Sequence, residues 1–189
     1  MIQFARRSAL KAMVVLVAAG GGPAPAGGWT DAVEVLHEFK RRVSYRARVQ
    51  GEFLVVQATQ EPGWHTYAMD NKQRAEEKLA GRQSLGIDAP TEISLTQGLE
   101  VVGPWYQSPP KDLSKPELQW FTWGFETQAL FVAKVRRSGP GPARIAVRGQ
   151  ACTDTICKRI DLAISLPLES AGADADASKV DLKVLVQVR

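Results

Sequence analysis

The segment "ARIAVRGQACTDTICKRIDLAISLPL", residues 143–168, reads as two strands joined by a four-residue loop. Ile145 and Val147 alternate with Arg144 and Arg148, and Ile160, Leu162, Ile164 and Leu166 alternate with Arg159, Asp161 and Ser165. Period-two alternation marks a strand with one face on a core. "TDTI" between Cys152 and Cys157 has a common hairpin-loop length. Residues opposite one another in an antiparallel pair lie close enough for a disulfide, so the two cysteines can bond across the hairpin neck. Counting by twos puts Gly149 and Ala151 on the core face. Both cysteines then fall on the other, polar face, with Arg148 and Asp161.

The pattern extends outward from this hairpin. In "VSYRARV" (43–49) Val43, Tyr45, Ala47 and Val49 alternate with polar residues, and after Gln50-Gly51-Glu52 "FLVVQAT" (53–59) completes a second hairpin. "ALFVAKV" (129–135) is a further strand with Phe131, Ala133 and Val135 on one face. Shorter strand candidates are 33–39, 92–95, 99–102 and 118–123, with a "GWHTY" strand beginning near His65. Many short strands with Gly/Pro turns predict an all-β fold, a β-sandwich. "NKQRAEEKLAGR" (71–82) is rich in helix formers and is expected to be a short helical or irregular excursion, with Gly81 as its stop. "GPWYQSPPKDLSKPE" (103–117) holds four prolines and is expected to be largely loop.

The 189 residues suit one domain with appendages. "MIQFARRSALK" is basic, "AMVVLVAA" is a short apolar run, and Ala24-Pro25-Ala26 is a small-x-small site. That order predicts a secretory signal peptide over 1–26, with a retained anchor as the alternative. The apolar run is far shorter than the ~20 residues needed to span a bilayer, and no other stretch is long enough, so the mature chain is expected to have no membrane span. No cysteine follows that run, which excludes lipid attachment there. The formal charge of +4 falls to near +1 once Arg6, Arg7 and Lys11 are set aside with the leader. The basic balance is therefore no argument for nucleic-acid binding. The sandwich is expected over 31–168, "ESAGADADASK" as a linker over 169–179, and a C-terminal strand or tail over 180–189. An exported protein meets conditions where disulfides form.

The cysteine pair admits three readings. A passive disulfide is one, although so short a loop yields the least stabilisation in the chain-entropy model. A metal site is another, but tetrahedral zinc needs four ligands and this pair supplies two; no metal is expected. A redox couple is the third, since an accessible, weakly stabilising disulfide suits exchange. Locally, Lys158 and Arg159 would favour a thiolate and Asp154 would oppose it.

"PGWHTYA" (62–68), "APTEI" (89–93) and "GQACTDTIC" (149–157), in that order on a β-rich chain, resemble the N-terminal periplasmic domain of the thiol:disulfide interchange protein DsbD, also called the disulfide bond corrector domain. The resemblance spans roughly 31–168. It implies an immunoglobulin-like fold, a redox pair of Cys152 and Cys157, and Cys157 as the sulfur that forms mixed disulfides. It also implies a cap loop and aromatic neighbours, for which Tyr67 is the best match, followed by Trp64 and His65. The electron donor would be a thioredoxin-like or membrane thiol reductase, and the acceptors periplasmic disulfide proteins, including those of cytochrome c maturation. No cofactor is required for such exchange. The sequence departs from the family in having Lys158-Arg159 where many relatives have proline, and in a longer excursion at 71–82. It also contains no CxxC, so the donor is expected to be a separate polypeptide. The competing class is a non-enzymatic β-sandwich binding module with an inert hairpin disulfide.

Three further features have structural explanations. His65 is expected to be a packed or hydrogen-bonded histidine, with proton management near a thiolate as its sharper role. Trp105, Trp120, Trp123, Phe121 and Phe125 are expected in core and loop packing, with a docking surface as the alternative. Arg41, Arg42, Arg46 and Arg48 are expected on a solvated strand face.

Overall fold

A computed structural model of the chain describes residues 28–168 and 180–189. The expected leader over 1–26 and linker over 169–179 lie outside these residues.

The described chain runs β1 (Val33–His37), β2 (Lys40–Gln50), β3 (Phe53–Gln60), β4 (His65–Tyr67), α1 (Asn71–Leu79), β5 (Glu92–Gln97) and β6 (Leu99–Gln107). It continues through β7 (Lys111–Asp112), β8 (Trp123–Phe125), β9 (Gln128–Arg137), β10 (Ala143–Cys152), β11 (Cys157–Leu166) and β12 (Val186–Gln187). Two antiparallel sheets form, in the orders β1-β2-β3-β9-β6-β12 and β11-β10-β4-β8-β7, with β5 also paired to β10. This is the all-β sandwich that the alternation predicts, of the immunoglobulin-like kind that the resemblance implies.

The core lies where the period-two residues put it. Val43, Tyr45, Ala47, Leu54, Val56, Ala58, Ala129 and Phe131 of one sheet are fully buried against Ile145, Val147, Ile160 and Ile164 of the other. Phe125 meets Phe131 edge-on, with ring centroids 5.6 Å apart, a favoured aromatic arrangement.

Three expectations need correction. β6 runs through Gly103-Pro104 to Gln107, although the prolines argued for loop. A register shift between Val101 and Trp105 accommodates Pro104 as a bulge, where its missing N–H costs no ladder bond. The candidate strand 118–123 is instead the end of a 3₁₀ turn (Pro116–Leu118) and a bridge from Lys115 to Trp120, and β8 starts only at Trp123. The arginines of β2 are not simply solvated. Arg46 and Arg48 lie over the Trp29 ring at 4.6 and 4.5 Å, and Arg42 lies over Trp64. They cover aromatic surface with their stems and planes.

The excursion is a helix. Asn71, Ala75 and Leu79 recur at four-residue spacing, so they share the buried face of α1. Ala75 and Leu79 pack on Phe121, with Trp123 beside them. The helix ends one residue earlier than expected, at a left-handed Ala80 whose N–H bonds the Glu76 carbonyl, and Gly81 follows with positive φ. Among the described residues no helix is long and apolar enough to cross a membrane.

At the tail, β12 pairs Val186 with Gln107 and Gln187 with Tyr106, adding an edge to the first sheet. Arg189 then reaches Glu77 of α1 at 2.8 Å.

Candidate functional site

β10 and β11 pair in one unbroken register from Ala143↔Leu166 to Cys152↔Cys157. The two cysteines therefore end opposite each other, Cα atoms 4.1 Å apart, joined as a disulfide. The loop between them is closed by the Thr153 N–H donating to the Ile156 carbonyl. The Thr153 hydroxyl accepts from the N–H groups of Thr155 and Ile156.

The face parity predicted for the cysteines holds, but their expected shared exposure does not. Cys152 is 1 % exposed and Cys157 is exposed. The difference comes from what lies beyond the hairpin. β4 joins the other edge of β10, pairing Cys152 with His65 and Ala151 with Thr66. β5 pairs with the same edge only from Arg144 to Arg148. The chain just before β5 crosses the gap between β5 and β4. There the Ala89 N–H donates to Gln150 Oε1, and a Cβ on Gly149 (φ +148°) would stand 2.9 Å from the Pro90 carbonyl oxygen. Only glycine lets that segment approach so closely. The crossing brings Asp88 to the sulfurs.

Asp88 is the residue that the sequence reading missed. It is 8 % exposed, and its carboxylate lies within 4.8 Å of both sulfurs. It is held from three sides. Trp120 Nε1 donates to its Oδ2 at 2.8 Å, the buried Asn71 amide donates to its carbonyl at 3.0 Å, and the neighbouring Ala89 is fixed by Gln150. Asn71 Oδ1 in turn accepts from the Trp123 N–H and the Thr122 hydroxyl. Helix α1 is thus keyed to the site by one asparagine. Asp88 sits one residue before the quoted "APTEI", so a cue lay beside it, but nothing in spacing linked it to cysteines so distant in sequence.

A cavity of about 330 Å³ opens over this group. It is lined by His65, Tyr67, Asp88, Trp120, Asp154 and Cys157 among others. Of the residues singled out from sequence, Cys157, His65, Tyr67 and Asp154 gather here. Trp64 does not: it is buried in the core between the sheets, its ring against His37. Asp154 stands 88 % exposed on the loop and pairs with Lys115 at 3.4 Å.

Two of the groups facing the cavity are shifted by their surroundings. Burial pushes the His65 imidazole below its ordinary value, against the opposing charges of Asp88, Asp154 and Glu126. Its Nε2 is 3.1 Å from the Tyr67 hydroxyl, and the rings meet edge-on. Burial raises the Tyr67 phenol far above its ordinary value, and Asp88 raises it further by charge and hydrogen bonding. Tyr67 is therefore a neutral donor. Asp88, Cys152 and Cys157 also form a set of three metal-type donors. Two of them are joined to each other, and a disulfide sulfur is no thiolate ligand.

The fold and the site together define a two-sheet, immunoglobulin-like domain carrying a half-exposed hairpin disulfide beside a buried carboxylate. The sequence matches no family profile and no curated protein. Among solved structures, the chain is similar to the N-terminal domain of DsbD from Neisseria meningitidis, crystallised in the reduced form. The identity is 11 %, the match covers 65 % of this chain and 82 % of that one, and the TM-score is 0.37.

Proposed function

We propose that this protein is an exported thiol:disulfide exchange domain in which Cys152 and Cys157 cycle between dithiol and disulfide. The observation that carries this reading is the asymmetry of the pair. One sulfur is buried, while the other is exposed and lines a cavity of about 330 Å³. A partner sulfur can reach Cys157, and Cys152 is held behind it to resolve the mixed disulfide. The sequence resemblance to the DsbD N-terminal domain supports the same assignment. In this reading a separate thioredoxin-like or membrane-linked reductase supplies electrons. Envelope disulfide proteins receive them, with proteins of cytochrome c maturation among the candidates. Exchange of this kind runs without a cofactor.

The test is the reduction potential of the pair. Purified protein is equilibrated in graded glutathione buffers and the free thiols are counted by alkylation and mass. A potential of about −180 to −270 mV matches exchange proteins. Trapping with Cys152→Ser should then capture partners on Cys157. A potential below about −300 mV marks a structural bond and leaves the binding module with an inert disulfide.

A further inference from the structure

We propose that Asp88 is the proton-transferring carboxylate of the cysteine pair, serving above all the buried sulfur of Cys152. The inference rests on the exchange reading and adds a residue that neither the motifs nor the hairpin designates.

The need arises from the burial of Cys152. A thiol attacks only as its thiolate, so its proton must have somewhere to go. Cys157 can release a proton to solvent at the cavity mouth. Cys152, 1 % exposed, cannot. The Asp88 carboxylate lies within 4.8 Å of both sulfurs, a span that one water bridges. Trp120 donates to Oδ2 and the Tyr67 hydroxyl bonds the same carboxylate; the two donors aim it, and a carboxylate's remaining lone pairs keep acceptor capacity for the sulfurs.

The other charged and titratable groups facing the cavity are less suited. From β4, His65 has its Nε2 against the Tyr67 hydroxyl, and Tyr67 stays protonated. Asp154 on the hairpin loop is exposed and paired with Lys115 of the 3₁₀ segment. Glu126, after β8, is paired with Lys111 of β7.

The steps balance. Cys157 loses its proton, and its thiolate attacks a partner disulfide. That S–S bond breaks, a mixed disulfide forms, and the departing partner thiolate takes up a proton. Asp88 then accepts the Cys152 proton. The new thiolate attacks Cys157 Sγ, the mixed disulfide breaks, and the second partner sulfur leaves and is protonated from Asp88. Two electrons and two protons have passed to the partner, and the Cys152–Cys157 bond is restored.

The experiment uses the reduced full chain and a chromogenic aromatic disulfide that releases a coloured thiol at each step. The first release reports attack by Cys157, and the second reports resolution by Cys152. Asp88→Asn keeps an acceptor for Trp120 but removes the base. It should lower the ratio of second to first rate by at least about tenfold, since general-base contributions are typically 10²–10⁴. Asp88→Glu should restore most of the loss, which a purely structural role would not predict. Melting of the oxidised variants checks the fold. If Asp88→Asn does not fold, Trp120→Phe, which frees the carboxylate without discharging it, should slow the same phase several-fold. Fast wild-type phases with an unchanged ratio in the variants overturn the role of Asp88 alone. A wild-type protein with no second release overturns the exchange reading, and this inference with it.

Discussion

Cys152 and Cys157 face each other across one hairpin neck, yet one is buried beside β4 and the other is open to a cavity. Adjacent positions in a regular ladder have become unequal through neighbours that are remote in sequence. The consequence is chemical asymmetry. In the reduced protein, iodoacetamide should modify Cys157 at least about tenfold faster than Cys152, because reaction tracks thiolate access. Peptide mass mapping of partly alkylated protein reads the order. Equal labelling would mean that the burial of Cys152 does not persist in the dithiol.

Reduction itself should cost little stability. The bond closes a very short loop, for which the chain-entropy relation gives about 2 kcal/mol. The core of fully buried residues on both sheets does not depend on it. Denaturant unfolding with and without reductant should show a small drop in midpoint and a single cooperative transition. Loss of the folded baseline on reduction would show the bond to be a structural staple.

Gly149→Ala tests the crossing that positions Asp88. The added methyl would meet the Pro90 carbonyl at 2.9 Å, on a backbone with φ +148°. Either the strand or the 88–91 segment must move. The expected cost is about 1–3 kcal/mol, together with a slower second release in the two-step thiol assay. A variant that melts normally and resolves at the wild-type rate would show that the crossing does not hold the site.

These residues also mark where sequence reading stops. The β10–β11 hairpin was legible because its alternation is strict and its register follows from the loop, so the face of each cysteine could be counted. Helix α1 was legible from composition. Whether the face carrying the sulfurs would be open was not legible. Its cover comes from the 80–91 segment and from the 3₁₀ segment with Trp120, both held from behind by α1, and none of these signals its docking place by periodicity. Asp88 falls in the same gap. A single aspartate in "LGIDAP" (85–90) has no local signature, and its role appears only when Asn71, Trp120 and Gln150 converge on its segment. Pro104 misled for a related reason: a bulge, not a loop, absorbed it.

The helix that helps build this cover is anchored by a buried ion pair with a pH signature. Asp70 Oδ1 accepts from Arg74 at 2.8 Å and from the fully buried Gln107 at 2.7 Å. Burial alone would raise the Asp70 carboxyl. The Arg74 and Gln107 hydrogen bonds and the Arg74 charge outweigh it, so the value is lowered. A lowered folded value makes the stabilisation fully present above the ordinary carboxylate range and lost as pH falls through the lower folded value. Asp70→Ala should cost about 3 kcal/mol at neutral pH by leaving Arg74 and Gln107 uncompensated. The difference from wild type should shrink in acid. Urea unfolding at neutral pH and near pH 3 measures both, and a difference that does not depend on pH would refute the linkage.

His65 offers a test that reads Asp88 without any thiol chemistry. Burial holds the imidazole below its ordinary value, while Asp88 pulls the other way. In the oxidised protein the imidazole resonances should therefore titrate with a midpoint below about 6.5. Asp88→Asn removes an attractive charge from the imidazolium, so the midpoint should fall further. A depressed histidine favours the folded protein above the ordinary value, and that advantage is lost as pH falls toward the folded midpoint. Asp88→Asn should deepen the loss in that window and leave stability near pH 8 unaffected through this group. NMR titration of wild type and variant, with melting at pH 5 and pH 8, gives both quantities. A His65 midpoint that rises, or that ignores the Asp88 charge, would mean that the carboxylate does not face the cavity side of β4.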